Sequence, residues 1–314
     1  MQPDSIVYPG MSTLTRILQC PQKKSIYRII NPSLFDVSLR DGIQSANPVH
    51  YPTNIKRDIF RTIFHTYYPD KMEIGSIVSP KVLPIMADTV DLHEYVMDYL
   101  EDKPSATKPF VLVPNHAYLK AAIHSGMYHF SFITSVSNAF QLKNTRKTID
   151  EVKRELKEME ETLNCYQRTH HRKLYISCID ECPLTGKIDH DFIVREILYY
   201  HTHYDFSEIC LSDTMGTLTS ENFKYIIDTI RVFGIPTYKL SLHLHMSETN
   251  QDDIRRMIWH CFDKGIRKFD VSFLTEGGCS VTMGKQALSN LTYDYFYEVV
   301  DKYIERKIDR DQSA

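Results

Sequence analysis

The sequence predicts an α/β protein, a single-domain (β/α)8 barrel of the TIM type with an N-terminal extension. Two observations support this fold class. From residue 31 onward, eight short apolar runs alternate with eight segments of helical length and periodicity. These units occupy residues 31–305 without a linker rich in proline, glycine and serine, and barrels of this kind typically take about 250 residues.

The elements follow one another in regular alternation along the chain. The predicted strands are Leu34–Leu39, Met72–Ser76, Phe110–Val113, His129–Thr134, Leu174–Cys178, Glu208–Ser212, Leu240–His245 and Lys268–Phe273. The predicted helices are Asn54–Tyr67, Val82–Leu100, Ala117–Ser125, Arg146–Arg168, Asp191–His203, Ser220–Val232, Gln251–Lys264 and Tyr293–Ile304. Residues 1–30 are therefore expected to form the extension, and residues 306–314 a C-terminal tail.

Composition excludes several classes of function. The chain has 314 residues, a formal net charge of −3 and no long basic block, so we expect no nucleic-acid surface. No apolar run reaches the roughly 20 residues that span a bilayer, so we expect no membrane segment. The seven scattered cysteines indicate reduced thiols and a cytoplasmic protein. The basic residues of 1–30 leave an organelle-targeting segment as the alternative.

Two histidines share one face of the seventh predicted strand. Along residues 239–245, leucines alternate with Ser241, His243 and His245, which is the period of a β-strand. Both imidazoles therefore point the same way and can hold one metal ion through neutral ring nitrogens. The alternative is a strand with two polar side chains that face a wet cavity.

The first two strands supply charged residues at the barrel mouth, where (β/α)8 enzymes carry out their chemistry. Asp41 offers a carboxylate oxygen to a cation, and Arg40 offers a planar fork of donors to a carbonyl or carboxylate group. Glu73 lies in an apolar strand and should be paired if it is buried, with Arg40 as its natural partner. These residues could equally form a helix cap and a purely structural ion pair.

Further candidates lie at later strand ends. Asp213 follows the sixth strand and adds a carboxylate at the mouth. Cys279 follows two glycines after the eighth strand, where a tuned thiol could act as acid, base or nucleophile, or be incidental. Asn290 offers a neutral amide oxygen. A mixed oxygen and nitrogen set of Asp41, the two histidines and Asn290 suits Mg²⁺ or Mn²⁺ with open positions.

Several motifs in order resemble one family. Residues 36–44, Asp-Val-Ser-Leu-Arg-Asp-Gly-Ile-Gln, resemble the R-D-G-x-Q signature of the DRE-TIM metallolyases, barrel lyases and synthases that act on acyl-CoA and 2-oxo acids. Within that group, residues 72–88 look most similar to 3-hydroxy-3-methylglutaryl-CoA lyases. The match continues through Val113-Pro-Asn115, residues 182–188, Ser212-Asp-Thr-Met-Gly216, His243-x-His245 and Gly277-Gly-Cys279.

The resemblance implies a role for each matching position. Arg40 would stabilise the enolate-like oxygen of the leaving acetyl-CoA, and Glu73 would orient it. Cys279 would take part in proton transfer, and Asp213 would support the site. The divalent cation, Mg²⁺ or Mn²⁺, would be held by Asp41, His243, His245 and Asn290, while the substrate would contact Arg40, Gln44 and Asp294.

The implied reaction is cleavage of 3-hydroxy-3-methylglutaryl-CoA, or a close analogue, to acetyl-CoA and acetoacetate. An acyl-CoA or a small hydroxy or keto acid is thus the expected partner, and we expect a homodimer. One alternative is a Claisen-type synthase, although those enzymes usually carry a further C-terminal domain. Another is a catalytically impaired, metal-binding barrel, because the family usually continues H-x-H with Asp-Thr-x-Gly and residues 246–250 here read Met-Ser-Glu-Thr-Asn.

Overall fold

Eight parallel strands form a closed ring at the centre of the protein. The computed structural model describes residues 9–103, 107–166, 168, 170–274 and 288–313. Each strand pairs with the next one along the chain, and β8 pairs with both β7 and β1, which closes the sheet. The strands are β1 Ser33–Asp36, β2 Lys71–Ser76, β3 Lys108–Leu112, β4 Phe130–Ser135, β5 Arg172–Ser177, β6 Glu208–Asp213, β7 Leu240–Met246 and β8 Lys268–Val271. The predicted (β/α)8 barrel is confirmed.

Helices surround the ring, and two of them precede it. They are α1 Pro9–Gln19, α2 Pro21–Ile30, α3 Thr53–Tyr67, α4 Thr89–Glu101, α5 His116–His124, α6 Asn138–Thr145, α7 Ile149–Cys165, α8 His190–His203, α9 Ser220–Val232, α10 Gln251–Lys264 and α11 Tyr293–Ser313. The expected extension is thus helical where it is described, and it packs against α11. Residues 306–313, which we expected as a tail, continue α11.

Two predicted helices begin later than their patterns suggested. The predicted helix over 82–100 begins only at Thr89. The one predicted over 146–168 begins at Ile149, because Arg146 ends α6 with a positive φ of 60° and Thr148 caps α7. Thr148 and Glu151 form a capping box, in which each side chain satisfies the other residue's backbone N–H.

The outer helices are amphipathic, and α7 is a clear example. Its charged residues face solvent, whereas its predicted apolar stripe is buried against the barrel: Val152, Leu156, Met159 and Leu163. Such a helix is held in place by burial of one face. Among the described residues, no helix is long and apolar enough to cross a membrane.

The first strand ends earlier than predicted, in a single π-helical turn. Asp36 accepts hydrogen bonds from the backbone N–H of Ser38 at 3.0 Å and from its hydroxyl at 2.8 Å. These bonds divert the chain into the turn Ser38–Gly42. The Ser38 hydroxyl also accepts a bond from the Phe273 N–H at 2.8 Å, so the turn is attached to the end of β8. This turn presents Arg40 and Asp41 at the barrel mouth, and π-helical turns are frequent at functional sites.

Candidate active site

Three of the four predicted metal ligands converge at the mouth of the barrel. Asp41 leaves the turn after β1, and His243 and His245 lie near the end of β7. One ligand atom from each residue lies within 4.8 Å of the other two, and all three side chains are buried. Nε2 of each imidazole is 3.8 Å from Oδ2 of Asp41. The three donors could therefore share one cation.

Asn290 lies beside this group. It pairs directly opposite His245 in a short antiparallel ladder, so the two side chains emerge on the same face. Asn290 is buried, and neither polar atom of its amide has a hydrogen-bond partner among the described residues; the same holds for Nε2 of His245. Buried polar atoms are costly without a partner. A divalent cation would satisfy the two acceptors among them, Oδ1 of Asn290 and Nε2 of His245, so these residues fit the predicted metal.

Hydrogen bonds at the other ring nitrogen orient both imidazoles. Nδ1 of His243 lies 3.2 Å from Oδ2 of Asp270, and Nδ1 of His245 lies 2.8 Å from the backbone oxygen of Asp213. Because both partners are acceptors, Nδ1 carries the proton in each ring. The Nε2 lone pairs are then free to face Asp41, as a metal ligand requires.

The charge states of Asp41, His243 and His245 favour the binding of a cation. Burial would raise the pKa of Asp41, but Arg40 and the two imidazoles hold the pKa of this carboxyl well below its ordinary value. Burial lowers the pKa of His243, which keeps that ring neutral. At His245 burial is outweighed by Asp41, which raises the pKa, so a cation would compete there with a proton.

The guanidinium of Arg40 is clamped between two carboxylates. Its Nε donates to Oε2 of Glu73, and its Nη1 donates to Oδ1 of Asp41. The hydroxyl of Tyr175 donates to the same Glu73 oxygen at 3.3 Å, and the Arg40 guanidinium carbon lies 5.2 Å from the centre of the Tyr175 ring. All four side chains are buried. The expected pairing of Arg40 with Glu73 is present, and it fixes the direction of the guanidinium.

A cavity of about 130 Å³ connects these groups. Its polar side includes Arg40, Asp41, Gln44 and both histidines. Its lining also includes apolar residues: Val78, Val82, Leu83, Leu112, Ile133 and Phe140. The cavity thus offers both charged and apolar side chains to a ligand.

Comparison with known proteins agrees with this arrangement. The family model described as HMGL-like matches residues 31–249, which is most of the barrel and includes Arg40, Asp41 and the two histidines. The chain belongs to the HMGL-like family. The predicted relationship to hydroxymethylglutaryl-CoA lyases is thereby confirmed, and with it the predicted class of a lyase-like enzyme.

Two curated relatives of this HMGL-like protein are lyases. It is 28% identical over 256 residues to the mitochondrial hydroxymethylglutaryl-CoA lyase of Arabidopsis thaliana, covering 80% of this chain but only 51% of that one. It therefore spans about half the length of the Arabidopsis protein. It is also 28% identical over 260 residues to the 3-hydroxy-3-isohexenylglutaryl-CoA/hydroxymethylglutaryl-CoA lyase of Pseudomonas aeruginosa, covering 80% of this chain and 79% of that one.

Solved structures share the fold of this HMGL-like chain. The hydroxymethylglutaryl-CoA lyase of Pseudomonas aeruginosa superposes with a TM-score of 0.74 at 25% identity, covering 87% of this chain and 86% of that one. The lyase of Brucella melitensis superposes with a TM-score of 0.71 at 22% identity, covering 88% and 98%. The barrel is therefore that of the hydroxymethylglutaryl-CoA lyases.

The remaining candidate site residues of the HMGL-like barrel are Asp213, Asp294 and Cys279. The Asp213 carboxylate accepts 3.3 Å bonds from the N–H groups of Thr217 and Leu218, so this residue supports His245 through its carbonyl and the next loop through its side chain. Asp294 lies in the first turn of α11 and is not among the described residues that line the cavity. Cys279 lies outside the described residues. The roles of these residues remain predictions.

Several residues around the HMGL-like site carry little or no signal in the sequence. Tyr175 lies in a predicted strand but nothing in the pattern marks it as a site residue, and Phe140 belongs to α6, which the apolar periodicity does not predict. The signal for α6 is Ser137, whose hydroxyl accepts a bond from the Phe140 N–H and caps the helix. For Asp270 no local signal exists, because its contact with His243 depends on the pairing of β7 with β8.

Asp36, which begins the turn carrying Arg40 and Asp41, should make stability depend on pH. Burial raises the pKa of Asp36 from 3.8 to about 7. The folded state therefore binds an extra proton between about pH 4 and pH 7, and stability falls as pH rises through that window. We expect Asp36→Asn, which stays neutral and can still bond Ser38, to remove roughly 4 kcal/mol of this dependence.

Urea unfolding of both proteins at about pH 4 and pH 8 measures the effect. The difference in unfolding free energy between the two pH values should be smaller in the Asp36→Asn variant than in the original protein. Equal differences would show that Asp36 is already ionised in the folded state at the lower pH.

Proposed function

We propose that the protein is a divalent-cation-dependent carbon–carbon lyase that cleaves 3-hydroxy-3-methylglutaryl-CoA, or a close analogue, to acetyl-CoA and a keto acid. The observation that carries this proposal is the convergence of Asp41, His243 and His245 on one cavity with the clamped guanidinium of Arg40. Membership of the HMGL-like family and relatives named as lyases of such thioesters support it.

The proposed division of labour follows from the charges. Asp41, His243, His245 and Asn290 would hold Mg²⁺ or Mn²⁺, which when bound supplies Lewis acidity toward substrate oxygens. Arg40 would place N–H donors where negative charge develops on the thioester oxygen as the carbon–carbon bond breaks. Because Glu73 and Tyr175 hold the guanidinium before substrate binds, no reorganisation is needed in the transition state.

The reaction is balanced in protons, because a base takes up the proton that the substrate hydroxyl loses and an acid donates the proton that the enolate gains. Cleavage releases one proton from the tertiary hydroxyl of the substrate, and the acetyl-CoA enolate takes up one proton at carbon. We assign that second transfer to Cys279, because Gly277-Gly-Cys279 resembles the loop motif of the family. Gln44, which lines the cavity, would hold the acyl portion in place.

Incubation with a panel of 3-hydroxyacyl-CoAs tests the function. Purified protein loaded with Mg²⁺ or Mn²⁺ should release acetyl-CoA and a keto acid in equal amounts, measured by liquid chromatography and mass spectrometry. A chelator should stop the release, and added cation should restore it. Release of free coenzyme A from acetyl-CoA and a 2-oxo acid would identify the synthase instead. Metal binding without turnover of any compound would identify a binding protein.

The assembly and compartment are part of the proposal. We propose a homodimer, which light scattering coupled to size-exclusion chromatography would test directly. We also propose a cytoplasmic location, on the basis of the seven scattered cysteines. The name of the Arabidopsis relative places that protein in mitochondria, so imaging of the tagged full chain should distinguish the two compartments.

A further inference from the structure

A chain of buried charged side chains leads from His243 into the interior of the barrel. Nδ1 of His243 lies 3.2 Å from Oδ2 of Asp270, whose Oδ1 is paired with the ammonium group of Lys173. Lys173 in turn lies 3.3 Å from Oε1 of Glu208. The side chains of Lys173 and Asp270 are each 1% exposed and that of Glu208 is 3% exposed. The four residues come from four different strands, β7, β8, β5 and β6.

Stability alone does not account for this arrangement. Burying a pair of charges costs desolvation energy that the attraction often fails to recover, and a well-packed apolar substitute is frequently as stable or more so. The ring has many aliphatic residues elsewhere, so an apolar layer was available here. The charged chain is distinctive in that it ends on a candidate metal ligand.

The surroundings of Lys173 hold its ammonium group in one place. It lies 3.6 Å from the centre of the Phe35 ring and 4.6 Å from the centre of the Tyr175 ring. The Cys210 thiol also donates to Oδ2 of Asp270, at 3.8 Å. Lys173, Cys210 and His243 thus all donate to the Asp270 carboxylate, and its two oxygens have different partners. The carboxylate has one orientation that satisfies all of them.

We infer that Asp270 and Lys173 are positioning residues for the candidate metal centre. Asp270 accepts the Nδ1 proton of His243 and so leaves the Nε2 lone pair for the cation, and Lys173 prevents the carboxylate from turning away. The backbone oxygen of Asp213 does the same for His245, which therefore needs no side-chain partner. The inference rests on the proposed function, because it assumes that the two imidazoles bind metal.

The variant Asp270→Asn tests this inference, because the amide reverses one hydrogen bond. Lys173 can only donate, so the amide oxygen should stay with Lys173 and the amide NH₂ should face His243. Nδ1 must then accept, the ring proton moves to Nε2, and a ligand lone pair is lost. We expect the Mn²⁺ dissociation constant, measured from free Mn²⁺ by electron paramagnetic resonance, to rise about 10- to 100-fold.

A second readout separates positioning from a general loss of structure. In metal-free protein with ¹⁵N-labelled histidine, the ring nitrogens of His243 should report a proton on Nδ1 in the original protein and on Nε2 in Asp270→Asn. The matched control is Glu208→Gln, which alters the far end of the same charged chain and leaves the contact between Asp270 and His243 in place. Its Mn²⁺ affinity and His243 tautomer should match those of the original protein.

The outcomes separate this inference from the proposed function. An unchanged tautomer and Mn²⁺ affinity in folded Asp270→Asn would overturn it, whether or not the protein turns over any acyl-CoA. If that variant does not fold, Lys173→Met serves instead, because it frees the carboxylate to rotate and should weaken Mn²⁺ binding. A Lys173→Met variant with full affinity would also overturn the inference. Failure of the original protein to bind Mn²⁺ would refute the proposed function itself.

Discussion

Replacing His243 with alanine should abolish lyase turnover and tight Mn²⁺ binding while leaving the barrel folded. His243 supplies one of three donors that lie within 4.8 Å of one another, so its removal leaves a cation with an incomplete ligand set. Loss of the several kcal/mol of charge stabilisation that a bound metal provides corresponds to a fall in kcat/KM of roughly a thousandfold. Acetyl-CoA release and Mn²⁺ binding would be measured on the same preparation.

Asp41→Asn and His203→Ala complete this experiment. Asp41→Asn keeps the size of the side chain but removes the negative charge, and should give a similar loss. His203 belongs to the other H-x-H sequence of the chain, but it is exposed at the end of α8 and stacks on Tyr199. His203→Ala should therefore retain full activity and Mn²⁺ affinity. Normal turnover in either His243→Ala or Asp41→Asn would refute the assigned metal centre.

Replacing Arg40 with lysine should lower kcat by about a hundredfold to a thousandfold, the usual effect of removing a donor to a developing oxyanion. Lysine keeps the positive charge but lacks the planar fork, so it cannot bond Glu73 and Asp41 while also facing substrate. The metal ligands remain, so Mn²⁺ binding should persist although turnover falls. Retained Mn²⁺ binding with reduced turnover would distinguish Arg40 from the metal ligands, whose replacement should remove both Mn²⁺ binding and turnover.

Arg57→Lys is the matched control for this substitution. Arg57 also lies over an aromatic ring, with its guanidinium carbon 4.7 Å from the centre of the Tyr95 ring, but it belongs to the outer helix α3. Its replacement should leave kcat unchanged. A second variant, Glu73→Gln, should reduce kcat less than Arg40→Lys, because it loosens the guanidinium without removing it. Equal kcat values for Arg40→Lys and the original protein would exclude Arg40 from the chemistry.

The barrel was predictable because its strands are marked locally. In β7, leucines alternate with polar residues, and that period alone identifies the strand and places both histidines on one face. Asp41 was predictable at the barrel mouth because it lies in the segment that follows the first strand. The start of α7 also has a local signal, because Thr148 and Glu151 have the spacing of a capping box. The charged helical pattern continues across this position, so periodicity alone places the start too early.

Other parts of the site have no local signature. Lys173 and Asp270 are 97 residues apart and lie on β5 and β8, which do not pair with each other. They meet only because the sheet closes and both side chains point inward. The attachment of the π-helical turn to the end of β8 likewise rests on a distant bond, between Ser38 and Phe273. Apolar periodicity gives no information about contacts of this kind.

The candidate ligands come from both ends of the barrel sequence. Asp41 follows the first strand, whereas Asn290 reaches His245 through a ladder formed after the eighth. A cation bound by these residues would link the first and last units of the ring through its ligands. It would bind only once the ring has closed, so binding and closure would reinforce each other. The centre proposed for catalysis would then also stabilise the pairing of β1 with β8 against local unfolding.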